Sequence, residues 1–165
     1  MKTLRIIDAN LNRLREGIRV IEDISRYALD DKILTLRLKY IRHLTQTQNS
    51  SLLNNLLLNR NIKCDIAKDS IQSEIKRENL KGIVIANFKR TQESARVVEE
   101  ILKLDEVANI LQFKNNAICI QNIESKNEIK NFDIATPYSR FKYIRYELYD
   151  IEISYFIALE KSNIL

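Results

Sequence analysis

The chain has 165 residues, 27 Lys and Arg against 22 Asp and Glu, and a net charge of +5. That length suits one domain with a core that needs no staples, and two glycines with one proline favour helices over a strand-and-turn architecture. The modest positive charge fits small anions, while the alternation of bases with acids argues against a nucleic-acid surface.

Cys64 and Cys119 lie far apart and form no metal-ligand or redox spacing, so both read as reduced thiols. The opening Met1 to Asp8 is too short and too polar for a signal sequence, and no apolar run approaches membrane-spanning length. The expectation is a cytoplasmic chain with no membrane partner.

In chain order, the first helix is expected from Asp8, read as an N-cap, to about Leu29, with Leu11, Leu14, Ile18, Ile21 and Ile24 at helical spacing. Asp30 and Asp31 offer the N-cap of a second helix carrying Ile33, Leu36, Tyr40, Ile41 and Leu44. It dissolves near residues 46 to 50, and a short apolar helix over Leu52 to Leu58 follows. Residues 59 to 79 read as a polar connection. A third long helix starts at Asn79 or Leu80 and reaches about Leu104, and Thr136-Pro137 announces a last helix to about Lys161. An irregular insertion is expected around 105–135.

The chain repeats itself. Residues 9 to 23 and 86 to 100 share Asn10/Asn87, Arg13/Arg90, Glu16/Glu93, Arg19/Arg96 and Glu22/Glu99, among other identities. Arg37 to Arg42 then matches Arg140 to Arg145. The fold class expected is all-α, a single helical domain over 1–165. It is a duplicated helical hairpin packed as a bundle, with repeat one at about 8–44 and repeat two at about 86–146. Surface charges usually drift after duplication, so retained polar residues suggest a duplicated polar device.

On a helical wheel with Asn10 at zero, Leu14, Ile18 and Ile21 fall at roughly 20° to 80°, Arg13 near 300° and Gly17 near 340°. Asn87, Arg90 and Ser94 take the same angles in the second copy. Each copy is thus expected to lay an amide and a guanidinium along its buried stripe, beside a small residue that admits another backbone or a ligand. Glu16 and Arg19 point towards the flank, where a neighbouring helix or a homodimer partner would meet them. Arg and Glu three residues apart also form ordinary surface pairs worth a few tenths of a kcal/mol, about 0.3. His43 is the one histidine, and there is no glycine-rich phosphate loop. Any phosphate must therefore be held by arginines and helix N-termini.

The string Ile6 to Asp23 resembles the opening of a small helical hydroxymethylpyrimidine-phosphate kinase family of thiamin biosynthesis, found alone or fused to the N-terminus of thiamine-phosphate synthase. Ala86 to Glu93 is similar to that family's A-N-x-x-R-x-Q-E helix. Arg42 and His43 resemble its second helix, and Arg145, Tyr146, Tyr149 and Glu152 its closing R-Y-x-x-Y-x-x-E helix. The loop Arg60 to Ala67 keeps the Arg and one Asp (Asp65) of the family's R-D-x-x-G-D-V-G but neither glycine.

The resemblance implies transfer of a phosphoryl group from ATP to 4-amino-5-hydroxymethyl-2-methylpyrimidine phosphate, with Mg2+ as cofactor. It implies catalytic roles for Arg13, Arg90, Glu16 and Glu93. Asn10, Asn87, Arg19, Arg42, Arg60, Arg96 and Arg145 would bind substrate or phosphate, and Asp65, Glu16 and Glu93 would hold the metal. The phosphorylated pyrimidine, ATP and an associated thiamine-phosphate synthase are the implied partners. A helical domain that binds a thiamin intermediate without catalysis is the alternative.

Overall fold

The computed structural model describes residues 2–46, 49–61, 63, 77–108 and 136–162. All the regular structure among them is helical: α1 (Lys2–Tyr27), α2 (Lys32–Leu44), α3 (Ser50–Leu58), α4 (Leu80–Ile101), the single turn α5 (Asp105–Ala108) and α6 (Pro137–Ser162). Of the expected insertion, only 105–108 falls within the described residues, and it is helical. The remainder, with Cys64, Cys119 and Asp65, lies outside them.

Local chemistry fixes the ends. Asp31 is the cap of α2, its carboxylate accepting from the backbone N–H groups of Ile33 and Leu34 at 2.9 Å each. The residue before it, Asp30, closes α1 in a left-handed conformation (φ 49°), which a short polar side chain tolerates. Asn79 caps α4 by accepting from Gly82 N–H at 2.8 Å. Thr136 and Ser139 exchange side-chain-to-backbone bonds, Thr136 N–H to Ser139 Oγ at 3.2 Å and Ser139 N–H to Thr136 Oγ1 at 3.3 Å, ahead of Pro137.

Asp8 is no cap. It sits inside α1, which begins six residues earlier than expected, and its buried carboxylate is gripped by Arg60. An aspartate can serve as a helix start or as a buried partner, and a basic residue from after α3 decides for the second.

The long helices α1, α2, α4 and α6 form the bundle: α1 packs on α2 and α4, and α6 on α4 and α2, while α3 rests on α1. The core runs through Ile7, Leu11, Leu14 and Ile18 of α1, Leu38 and Ile41 of α2, Phe88 and Val98 of α4, and Ile144, Leu148 and Tyr155 of α6, all fully buried. Each such side chain contributes about 1.5–3 kcal/mol by leaving water. The two copies fill equivalent core positions with different volumes. Phe88 stands where repeat one has Leu11, and Ala95 where it has Ile18, so a larger ring near one end is offset by a smaller group nearby. Phe88 meets Tyr155 edge-on, ring centroids 5.6 Å apart.

Candidate functional site

The retained charges divide into two sets. Glu22 is buried, 4% exposed, and accepts two hydrogen bonds from Arg42 of α2, from Nε at 2.7 Å and Nη2 at 3.1 Å. Arg19 approaches the same carboxylate at 3.5 Å and also bonds Asp23 at 3.0 Å. In the second copy Glu99, 3% exposed, takes Arg145 of α6 at 2.8 Å and Arg96 at 2.8 Å, with Arg96 reaching Glu100 at 2.7 Å. These are equivalent Arg–Glu–Arg triads, each tying a long helix to the other helix of its own hairpin. The hydrogen bond to Glu22 raises the Arg42 pKa, and that to Glu99 raises the Arg145 pKa. Arg145 also lies over the rings of Tyr146 and Tyr149, at 4.8 and 5.8 Å from their centroids.

Of the expected phosphate ligands, Arg42 and Arg145 are therefore engaged in closing the hairpins, while Arg19 and Arg96 are half exposed and pair with acids of their own helices. Arg60 is engaged too, its Nε and Nη2 holding Asp8 at 2.7 and 2.8 Å. That hydrogen bond raises the Arg60 pKa, and the Glu16 carboxylate lies close enough to raise it further. The repeat made Glu22 and Glu99 visible as identities. Their role was missed because it lies in a partner helix, to which local spacing is blind.

The second set is Arg13, Glu16, Arg90 and Glu93, all exposed. Arg13 and Arg90 were expected along the buried stripe; the structure turns both outward. Their wheel angle faces the seam between α1 and α4, where only small groups fit, so a long guanidinium leans over the rim into water. No hydrogen bond or ion pair holds either one among the described residues.

The amides behave as expected in burial. Asn10 Nδ2 donates to Ile6 O at 2.9 Å, and Asn87 Nδ2 to Ile83 O at 2.8 Å, the same bond in each copy. Asn87 Oδ1 is sealed from water without a hydrogen-bond partner. It faces Gly17: a Cβ built there would stand 3.7 Å from Asn87 Oδ1, 3.4 Å from Asn87 O and 2.6 Å from Thr91 Cγ2. The small residue thus admits the neighbouring helix itself. Arg13 lies one turn before Gly17 in α1 and Arg90 precedes Thr91 in α4, so the two exposed guanidiniums stand beside the same helix contact, in which Asn10, Asn87 and Ser94 are buried.

Two other polar contacts belong to the scaffold. Arg15 donates to the Thr45 carbonyl at 2.6 Å and to its hydroxyl at 3.2 Å, capping α2, and desolvation lowers its pKa. Arg37 joins α2 to α6 through Glu147 and Asp150, each at 2.6 Å. Burial works against its charge, but these bonds outweigh burial and raise its pKa. A cavity of about 270 Å³ opens at the α1–α2 turn beside Arg26, Asp31 and Lys32, away from Arg13 and Arg90. Among the described residues no three His, Cys, Asp or Glu side chains cluster as a metal site, and no helix is long and apolar enough to cross a membrane.

Fold and site together define a duplicated helical bundle, each hairpin closed by a buried glutamate and its partner-helix arginine, with an exposed arginine from each repeat beside the α1–α4 contact. The model described as the ThiD2 family matches residues 5–126, and the chain belongs to that family. It is 32% identical over 154 residues to the thiamine-phosphate synthase of Prochlorococcus marinus subsp. pastoris, covering 83% of this chain and 42% of that protein. It is 29% identical over 167 residues to the thiamine-phosphate synthase of Prochlorococcus marinus strain AS9601, covering 100% of this chain and 44% of that protein. The thiamine-phosphate synthase of a Nostoc species is 38% identical over 101 residues, or 61% of this chain and 28% of that protein. The chain thus spans less than half the length of these curated relatives. No solved structure matches it.

Proposed function

We propose that this chain acts in thiamin biosynthesis and transfers the γ-phosphoryl group of ATP to 4-amino-5-hydroxymethyl-2-methylpyrimidine phosphate, giving the diphosphate and ADP. One observation carries the reading. Among the charged residues that the first repeat retains, Glu22 and Glu99 are buried against partner-helix arginines and Arg19 and Arg96 pair with acids of their own helices, whereas Arg13 and Arg90 are exposed beside the α1–α4 contact with no hydrogen bond or ion pair among the described residues, and Glu16 and Glu93 are exposed as well. Family membership and the thiamine-phosphate synthase relatives support the pathway.

Phosphoryl transfer asks a protein for positioning and charge neutralisation more than for covalent chemistry. Two guanidiniums, one per repeat, suit two phosphorylated ligands, each gripped bidentately. An oxygen of the acceptor monophosphate, already anionic near neutral pH, attacks the γ-phosphorus as the bond to the β–γ bridging oxygen breaks, so no strong general base is required.

Mg2+ keeps most of its waters and needs one or two carboxylates beside the phosphates. Glu16 and Glu93 are exposed and would supply them, with Asp65 a further candidate. When bound, the ion neutralises charge between the transferring phosphates.

The test is ADP release from ATP in the presence of the pyrimidine monophosphate and Mg2+. Release that depends on the pyrimidine is the expected result. The second reading is a binding domain without catalysis, favoured by relatives named for the synthase and by a 60–67 loop lacking glycine. Under that reading the pyrimidine phosphate raises the melting temperature while no ADP forms.

A further inference from the structure

Resting on the kinase reading above, we propose that Asp8 aims Arg60 at the acceptor's monophosphate. The first repeat then seats the acceptor, and the second seats ATP with its Mg2+. A guanidinium has five N–H donors and two edges that a carboxylate or a phosphate can grip. Asp8 takes one edge of Arg60, with Nε at 2.7 Å and Nη2 at 2.8 Å. The opposite edge, Nη1 with the second N–H of Nη2, makes no hydrogen bond or ion pair among the described residues. Arg37, Arg42 and Arg145 are likewise gripped by carboxylates of other helices, but only 13 to 21% of their side chains is exposed, against 37% for Arg60. Arg60 is both fixed and reachable.

The grip also decides where Arg60 stands. With Asn10 at zero on the wheel, Arg5, Asp8, Asn12 and Glu16 rise along one side of α1 between about 160° and 240°, and Arg13 follows at about 300°. Arg5 donates to the Asn61 carbonyl at 2.9 Å and Asn12 reaches Asp8 at 3.4 Å, so the chain leaving α3 is pinned along that strip. The Glu16 carboxylate acts on the same guanidinium. The second repeat has no equivalent: Ile85 stands where Asp8 would, and Glu93 has no hydrogen bond or ion pair among the described residues. The first repeat thus carries one fixed guanidinium more than the second. A cation already beside Glu16 disfavours a divalent ion there, which leaves Glu93 as the better carboxylate for Mg2+. ATP arrives with that ion, and the metal-free monophosphate takes the half richer in guanidinium.

Initial-rate kinetics of the full chain, varying the pyrimidine monophosphate and Mg2+-ATP in turn, test this. Arg60→Lys still pairs with Asp8 but has no second edge. It is expected to raise KM for the pyrimidine monophosphate about tenfold or more and to leave KM for ATP within about twofold. Asp8→Asn keeps the shape, loosens the grip and should raise the same KM about three- to tenfold. Helical circular dichroism checks each fold, and if one variant loses helix the other decides. Should wild type release no ADP, the kinase reading fails, and titration calorimetry with the pyrimidine monophosphate decides in its place. Wild type should then bind it, and Arg60→Lys about tenfold or more weakly. A folded Arg60→Lys or Asp8→Asn with wild-type KM or affinity, a rise in KM for ATP in place of the pyrimidine, or a wild type that releases no ADP and binds no pyrimidine monophosphate each overturns the proposal.

Discussion

Glu22 and Glu99 are carboxylates held out of water by guanidiniums from the adjacent helix, and their removal would leave those guanidiniums stranded. Breaking a buried pair from one side typically costs about 3–5 kcal/mol. Glu22→Ala and Glu99→Ala should each lower stability by about that much in chemical denaturation, with nearly additive effects, since the triads share no residue. Arg19 is half exposed and only 3.5 Å from Glu22, so Arg19→Ala should cost less than about 1 kcal/mol. Equal losses in Arg19→Ala and Glu22→Ala would contradict this account.

Arg13→Ala and Arg90→Ala separate structure from chemistry at the same scale. Each is expected to cut ADP formation by about 100-fold or more while the denaturation midpoint stays within about 0.5 kcal/mol of wild type. Wild-type turnover in both would remove them from the site. Their wheel angle was read as interior because Ile24 and Gly17 lie within about 40° of it. What the pattern could not convey is depth: that side of α1 is closed by α4 only as far as a glycine or an amide reaches.

At the scale of the helix, the crossing of α1 and α4 turns on Gly17. Adding a methyl there puts carbon 2.6 Å from Thr91 Cγ2 and 3.4 Å from a carbonyl oxygen, so one helix must shift. Gly17→Ala should cost about 1–3 kcal/mol, and Thr91→Ser, which removes the opposing methyl, should restore part of it. No recovery in the double variant would place the strain in the backbone contact at Asn87 instead.

Most of the helices were legible in the chain because periodicity and caps agree: Asp31, Asn79 and Thr136 each begin the helix that the pattern demands. The start of α1 was not, since whether Asp8 caps or pairs depends on Arg60, 52 residues away. The candidate site was legible in part. The repeat identified which polar residues to follow, and the contacts of α2 and α6 decided which of them the fold consumes.

For the whole molecule, the buried phenols set an alkaline boundary. Burial raises the Tyr155 hydroxyl to about 12, against an ordinary value near 10. The folded state therefore holds that proton more tightly than the unfolded chain does. Its contribution to stability is complete below pH 10 and is lost as pH climbs from about 10 towards 12. Burial also pushes the Tyr143 hydroxyl upward and acts in the same direction. The melting temperature should be flat from pH 8 to about 9.5 and fall beyond, with a shallower fall in Tyr155→Phe. An identical decline in that variant would assign the boundary to other groups.

The glycine contact between α1 and α4 leaves no slack between the two helices, because the Gly17 backbone meets Thr91 and Asn87 with nothing interposed. Under the proposed function, whatever adaptation an anion needs must come from the two long arms of Arg13 and Arg90 beside it. Each arginine carries about 2 kcal/mol of rotamer freedom that capture would quench. Under the proposed function, a visitor too small to engage both arms would order one of them for fewer contacts, so selection by span as well as by charge is expected.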